Sequence, residues 1–159
     1  MLAVGDKIPE FQALCHPSSG TENTLTSEDL IGKWAVVYFY PKDETPGCTK
    51  EACGFGSLES DFKSAGSVIL GISTDSIASH RKFAEKYDLP FTLLSDPDHS
   101  IAEKFGVWVE KKNYGKSYMG VERSTFVFDP AGTLIKVFTK VRVDNHHNNV
   151  LDFVKNATA

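Results

Sequence analysis

Val37-Tyr-Phe-Tyr-Pro41-Lys-Asp-Glu-Thr45-Pro-Gly-Cys48-Thr-Lys-Glu-Ala-Cys53 joins an apolar run to two cysteines through a loop bounded by prolines. The run begins at Trp34 and reaches Tyr40, and all of its residues except Ala35 are β-branched or aromatic. With no polar alternation, it reads as a central strand covered on both faces. Pro41 ends the strand, residues 42–47 read as a loop, and a helix is predicted over about 48–64. Cys48 therefore stands at a helix start, where unpaired N–H groups and a partial positive charge favour an anionic sulfur. Free cysteine titrates near 8.5, and settings of this kind can lower that to roughly 3.5–7.5. Thr45 can bring a hydroxyl close to the sulfur, while Pro41 and Pro46 restrict the loop through their fixed φ.

Outward from this segment, residues 68–72 form a second buried strand, followed by a helix over about 76–87 that Leu89-Pro90 stops. A short strand covers 91–94, and Ser95-Asp-Pro-Asp98 caps a helix over about 99–105. Residues 124–128 and 134–139 are strands joined by the turn Asp129-Pro-Ala-Gly132, and a last helix covers about 146–156. Residues 1–33 are turn-rich, with Pro9 and Pro17-Ser-Ser-Gly20, and read as a β-hairpin or arm. Strands separated by helices, closed by a hairpin and a helix, give an α/β class with a central mixed sheet flanked by helices and an N-terminal β-hairpin extension.

The chain of 159 residues fits a single domain spanning 1–159, with 41% hydrophobic and 24% charged residues, which excludes disorder as the default. A net charge of −4 argues against a nucleic-acid partner, because such binding rests on Lys and Arg neutralising phosphates. The longest apolar run is far short of the roughly twenty residues that cross a bilayer, so no membrane association is expected. The first residues lack the basic and apolar regions of a signal peptide, and the expected location is cytoplasmic. Three cysteines, Cys15, Cys48 and Cys53, make no disulfide framework in that setting.

Pro41-x-x-x-Thr45-x-x-Cys48 matches the active-site signature of peroxiredoxins, and the whole string from Phe39 to Cys53 resembles the branch called bacterioferritin comigratory protein or peroxiredoxin Q. Leu94-Ser-Asp-Pro-Asp98, Lys111-Lys-x-Tyr-Gly-Lys116 and Arg123-Ser-Thr-Phe-Val-Phe-Asp129 agree with it, from Gly5-Asp6 to the C-terminal helix. The resemblance implies a thioredoxin-like fold with an added segment around 106–120, and a thiol-dependent peroxidase that reduces hydrogen peroxide and organic hydroperoxides. It makes Cys48 the peroxidatic cysteine, oxidised to a sulfenic acid. Arg123 and Thr45, with Pro41 shaping the pocket, would receive the peroxide, and Cys53 would resolve the sulfenic acid as an intramolecular disulfide. Thioredoxin or a similar dithiol would recycle the enzyme, as a monomer with no metal or other cofactor. One departure is Gly56-Ser57, where many relatives carry Arg-Asp.

If Cys48 and Cys53 share one helix, their Cα atoms are roughly 8.6 Å apart, beyond the approximately 7 Å limit for a disulfide. Bonding then requires the helix start to unwind, which Gly54 and Gly56 ease by about 1 kcal/mol each relative to Ala. Other readings of the pair are two structural thiols, a zinc site completed by Cys15-His16, His80, His99 or His146-His147, a peroxide-sensing module signalling by helix melting, or a thioredoxin-type disulfide reductase. The last uses Cys-x-x-Cys, whereas the spacing here is Cys-x4-Cys. Cys15 reads as a small apolar filler.

Overall fold

The computed structural model describes residues 1–16 and 23–159, so the turn expected at Pro17-Ser-Ser-Gly20 lies outside the described residues. In chain order the elements are β1 (Gln12–His16), β2 (Asn23–Thr26), a 3-10 turn (Ser27–Leu30), β3 (Trp34–Phe39), α1 (Pro46–Ser57), α2 (Glu59–Ser64) and β4 (Ser67–Ser73). There follow α3 (Ile77–Tyr87), β5 (Thr92–Ser95), α4 (Ser100–Phe105), β6 (Trp108–Asn113), β7 (Lys116–Val121), β8 (Ser124–Phe128), β9 (Leu134–Phe138) and α5 (His146–Thr158). A mixed sheet runs in the order β2-β1-β5-β4-β3-β8-β9. Its centre β5-β4-β3 is parallel, and the β1–β2 hairpin and the β8–β9 pair join it antiparallel on either side. This is the helix-flanked sheet with an N-terminal hairpin expected from the sequence. Among the described residues, no helix is long and apolar enough to cross a membrane.

The alternation of β3 sorts the core into two layers. Ala35, Val37 and Phe39 enter one apolar cluster with Phe105 of α4 and Phe126 of β8; Val36 and Tyr38, with Tyr40 beyond the strand end, enter another with Phe55 of α1, Phe62 of α2 and Phe83 of α3. Each fully buried side chain of this size contributes about 1.5–3 kcal/mol of burial free energy. Gly71 of β4 is required under Tyr38, since a Cβ there would stand 2.9 Å from the phenol oxygen. Cys48 belongs to the second layer, so the helix carrying it is seated by the same aromatic side chains that hold the sheet.

One local expectation needs correction. The helix predicted over 48–64 begins earlier, with Pro46 as its first residue and Thr45 as N-cap, and it breaks at Leu58 (φ −107°, ψ 7°) into α1 and α2. Proline suits the first helical position, where its missing N–H costs nothing. The break follows Gly54, Gly56 and Ser57, whose hydroxyl donates back to Gly54 O at 2.7 Å and competes with helix continuation. The segment around 106–120 is a separate two-stranded ribbon, β6–β7, turned through Tyr114 and Gly115 with φ of 52° and 78°. Positive φ at both turn residues matches the twist of a two-residue hairpin. As expected, the Ser95–Asp98 segment caps α4: Asp96 accepts N–H bonds from Ile101 at 3.0 Å and Ala102 at 2.9 Å.

Candidate active site

Cys48 is the third residue of α1 and is 1% exposed. Arg123 lies between β7 and β8, and β8 pairs antiparallel with β3, placing Ser124 opposite Phe39. The start of β8 therefore comes alongside the end of β3, from which the chain turns into α1. Across that gap Arg123 Nη2 reaches Cys48 Sγ at 3.2 Å, and Nη1 donates to Glu51 Oε1 at 2.6 Å. Gly47 lies beside the guanidinium, where a Cβ would stand 3.4 Å from Nη2, ordinary van der Waals contact. Although burial opposes it, the neighbouring Glu51 and Cys48 hold the guanidinium above its usual range, so the positive charge at the sulfur is permanent.

Glu51 was missed from the sequence, although its spacing of three from Cys48 puts both on one helical face. It is 1% exposed, and burial pushes its carboxyl up to about 7 against the pull of Arg123. Its Oε2 has no hydrogen-bond partner among the described residues. Near neutrality the carboxyl is thus partly protonated, and it cancels only part of the arginine charge facing the sulfur.

Thr45 is half-buried, with its hydroxyl donating to Lys42 O at 3.0 Å. The sequence puts that hydroxyl close to the sulfur; its one proton goes to Lys42 O, which leaves its lone pairs as acceptors. Pro41 is half-buried directly after the backbone bond from Tyr40 N to Ile72 O at 3.0 Å. Cys53 is exposed on the same helix as Cys48, both thiols are free, and partial burial pushes the Cys53 thiol up. With α1 intact over Pro46–Ser57, the helical separation of roughly 8.6 Å applies, and no disulfide can close without unwinding.

Helix α1 meets α5 and the residues just before it at three places. Lys50 pairs with Asp144, Phe55 meets the His146 ring edge-on at 5.8 Å, and Gly54 lies against the His147 imidazole. A Cβ at Gly54 would come within 2.4 Å of His147 Nδ1, so this glycine is a packing requirement as well as a weak point of the helix. Alanine at 54, expected to stiffen the helix, would also push α1 off α5, and alanine at 56 would stand 3.1 Å from the Pro90 ring. Cys15 is buried with its thiol donating to Asn23 Oδ1 at 2.7 Å, at a distance from this site set by two intervening strands.

His146 gives a pH prediction. It is 4% exposed, pairs with Thr125 Oγ1 at 2.8 Å and is flanked by Phe55 and Phe138. Burial, then His147 and Arg123, lower it to about 4. The native state binds fewer protons than the unfolded state between about 4 and 6.5, so stability present above 6.5 is lost as pH falls through that window. The loss is roughly 2–3 kcal/mol. Glu51 acts oppositely, since its raised value makes stability fall as pH rises from 4.5 to about 7. The wild-type profile alone hides both. In urea titrations at pH 7 and pH 4, wild type should lose that amount relative to His146→Gln, which keeps an amide near the Thr125 hydroxyl and carries no charge.

The AhpC/TSA family model matches residues 4–137. Peroxiredoxin Bcp of Bacillus subtilis is 46% identical over 154 residues, covering 97% of this chain and 96% of the relative. Among solved structures, the bacterioferritin comigratory protein of Xanthomonas campestris, described for its alkyl peroxide reduction activity, superposes with a TM-score of 0.83 at 42% identity, covering 92% of each chain. A peroxiredoxin Q variant of Xylella fastidiosa reaches a TM-score of 0.91 at 32% identity, covering 100% of this chain and 99% of that one. The fold is thioredoxin-like, as the sequence implied. With its cysteine, arginine and glutamate gathered at the start of α1, the chain belongs to the AhpC/TSA family, among the Bcp peroxiredoxins.

Proposed function

We propose that Cys48 is the peroxidatic nucleophile of a thiol peroxidase acting on hydrogen peroxide and organic hydroperoxides, and that Cys53 resolves it. The observation that carries this reading is the guanidinium of Arg123 at 3.2 Å from a buried sulfur that begins a helix. Cys48 Sγ attacks the terminal peroxide oxygen; the S–O bond forms as the O–O bond breaks, and the thiol proton ends on the departing hydroxide or alkoxide. Two electrons pass from sulfur to the peroxide, so thiol and hydroperoxide become sulfenic acid and water or alcohol. Charge develops on the leaving oxygen, where the fixed cation of Arg123 lowers the barrier. The lone pairs of Thr45 Oγ1 accept the O–H of the incoming peroxide.

The Cys53 sulfur then attacks the sulfenic sulfur; the S–S bond forms as the S–O bond breaks, and the Cys53 thiol proton leaves with the hydroxyl as water. A protein dithiol such as thioredoxin reduces that disulfide by exchange, becoming oxidised itself. Residues 41–53 supply the nucleophile, and the sulfur carries the redox chemistry directly. The test is peroxide consumption with thioredoxin, its reductase and NADPH: the wild-type protein should remove many equivalents of hydrogen peroxide per chain. Consumption that stops at one equivalent with every dithiol donor overturns the catalytic reading and leaves a stoichiometric peroxide sensor.

A further inference from the structure

Behind the loop that delivers Cys48 lies a buried polar hub that the peroxide chemistry does not use. Asp43, in the link between β3 and α1, has a side chain 2% exposed. Its Oδ1 accepts the Tyr40 hydroxyl at 2.5 Å; its Oδ2 accepts the Ser79 hydroxyl at 2.7 Å and faces His80 Nδ1 at 2.8 Å. The His80 side chain is fully buried, and its Nε2 meets Leu94 O at 2.9 Å. The Asp43 backbone N–H is held as well, by Asp75 Oδ2 at 2.8 Å, and Asp75 is fixed by the Ser73 hydroxyl at 2.6 Å.

The proton count of this hub follows from its partners. A backbone carbonyl only accepts, so His80 Nε2 carries a hydrogen for Leu94. Nδ1 then faces a carboxylate oxygen, and a hydrogen must lie between them; two bare acceptors at 2.8 Å in a dry interior would repel. Asp43 and His80 together hold two protons, one of them shared. His80 Nδ1 lowers the Asp43 carboxyl by hydrogen bonding and charge, against the opposing effect of burial. Asp43, Asp75 and His80 could also be read as cation ligands, but the oxygens already accept two or more hydrogens each at Asp43 Oδ2 and Asp75 Oδ2, and both His80 nitrogens are engaged.

We propose that the Asp43–His80 pair positions the 41–48 loop for peroxide reduction, by tying it to α3 and to the end of β5. Beside the core aromatics that seat α1, the loop itself has few other polar ties, chiefly Asp43 N to Asp75 and the Thr45 hydroxyl to Lys42 O. Pro41, Pro46 and Gly47 donate little or nothing to a backbone ladder, and Glu44 takes a φ of 61°, a left-handed conformation unfavourable for a side-chain-bearing residue. Lys86 to Glu44 at 3.1 Å is an exposed ion pair of small worth. The buried hub therefore sets where Thr45 and Cys48 stand relative to Arg123, which arrives on a different strand. Asp43 and His80 are positioning residues and touch no reacting atom. The inference rests on Cys48 being the peroxide-reacting thiol.

Two amides separate positioning from bulk. In His80→Asn the amide nitrogen falls where Nδ1 was and still donates to Asp43; in His80→Gln it falls where Nε2 was, keeping Leu94 and abandoning Asp43. The readout is the rate constant of Cys48 with hydrogen peroxide by stopped flow, beside its alkylation by iodoacetamide, which needs an accessible sulfur but no Arg123–Thr45 geometry. His80→Gln should lose about 10-fold or more in the peroxide rate relative to alkylation, and His80→Asn should stay within about 3-fold of wild type. Tyr40→Phe, which removes one donor to Asp43 and the 3.4 Å contact of that hydroxyl with His80 Nδ1 but keeps the imidazole, should lose a few-fold and serves if His80→Gln does not fold. Equal ratios in all folded variants overturn the proposal, as does a loss in His80→Asn as large as in His80→Gln. A wild-type protein that alkylates but does not react with peroxide overturns the catalytic reading instead.

Discussion

Cys48→Ser should consume no peroxide under any condition, while Cys53→Ser should reduce the first equivalent at close to the wild-type rate and then fail to recycle. The difference follows from their places on α1. Cys48 is buried at the helix start against Arg123, whereas Cys53 is exposed one and a half turns later, with its thiol raised by partial burial and no cation bonded to it among the described contacts. Serine at 48 removes the sulfur that accepts oxygen, and a hydroxyl in its place is too poor a nucleophile to substitute. Serine at 53 leaves the first step intact and strands the sulfenic acid. In excess peroxide that species should progress to the sulfinic acid, adding two oxygens to Cys48 by mass spectrometry. Full recycling of Cys53→Ser by thioredoxin would show that Cys53 is not the resolving thiol.

The second large effect belongs to Arg123. Arg123→Ala should slow the reaction of Cys48 with hydrogen peroxide by roughly 10²–10³-fold, the usual cost of removing one preorganised donor from a developing oxyanion. Arg123→Lys should recover only part of it. A single ammonium cannot reproduce the fork that spans Glu51 Oε1 at 2.6 Å and Cys48 Sγ at 3.2 Å. Removing the arginine also leaves a buried carboxylate, which in general costs about 3–5 kcal/mol. Here the carboxyl already sits at about 7 and can take a proton, so the loss of stability should be smaller at pH 6 than at pH 8. The double variant Arg123→Ala/Glu51→Gln separates the two effects: urea titrations should show stability largely restored, while stopped flow should show the peroxide rate still depressed. A rate within about 3-fold of wild type in Arg123→Ala would remove the arginine from the mechanism.

Local chemistry was readable where each residue's signal stood in its own neighbourhood. The apolar run 34–40 reads as a doubly covered strand, and its alternate residues do fill two core layers. Pro46 and Cys48 mark a helix start, and Asp96 caps α4 where the Ser-Asp-Pro-Asp turn suggested. Errors arose where two local signals conflict. Around Gly54–Ser57 the apolar spacing continues but the glycines and a backbonding serine end α1. The ribbon β6–β7 passed without a strand assignment because Lys111, Lys112 and Lys116 obscure its alternation, and only the positive-φ pair Tyr114–Gly115 betrays it.

Sequence by itself determined the order of the central strands and the helices between them, the helix-start cysteine with its partner five residues on, and the family they belong to, because those depend on spacing along one stretch of chain. Only the tertiary structure decided which distant groups meet that stretch. Glu51 becomes a carboxyl at about 7 because the packed layers bury it, against the pull of Arg123, 72 positions away. Asp43 becomes part of a shared-proton pair because α3 presents His80 to it, and Gly54 becomes indispensable because α5 lays His147 against it. Burial and charge proximity are properties of the assembled layers, and a side chain's protonation and packing are set by neighbours that its own sequence window does not contain.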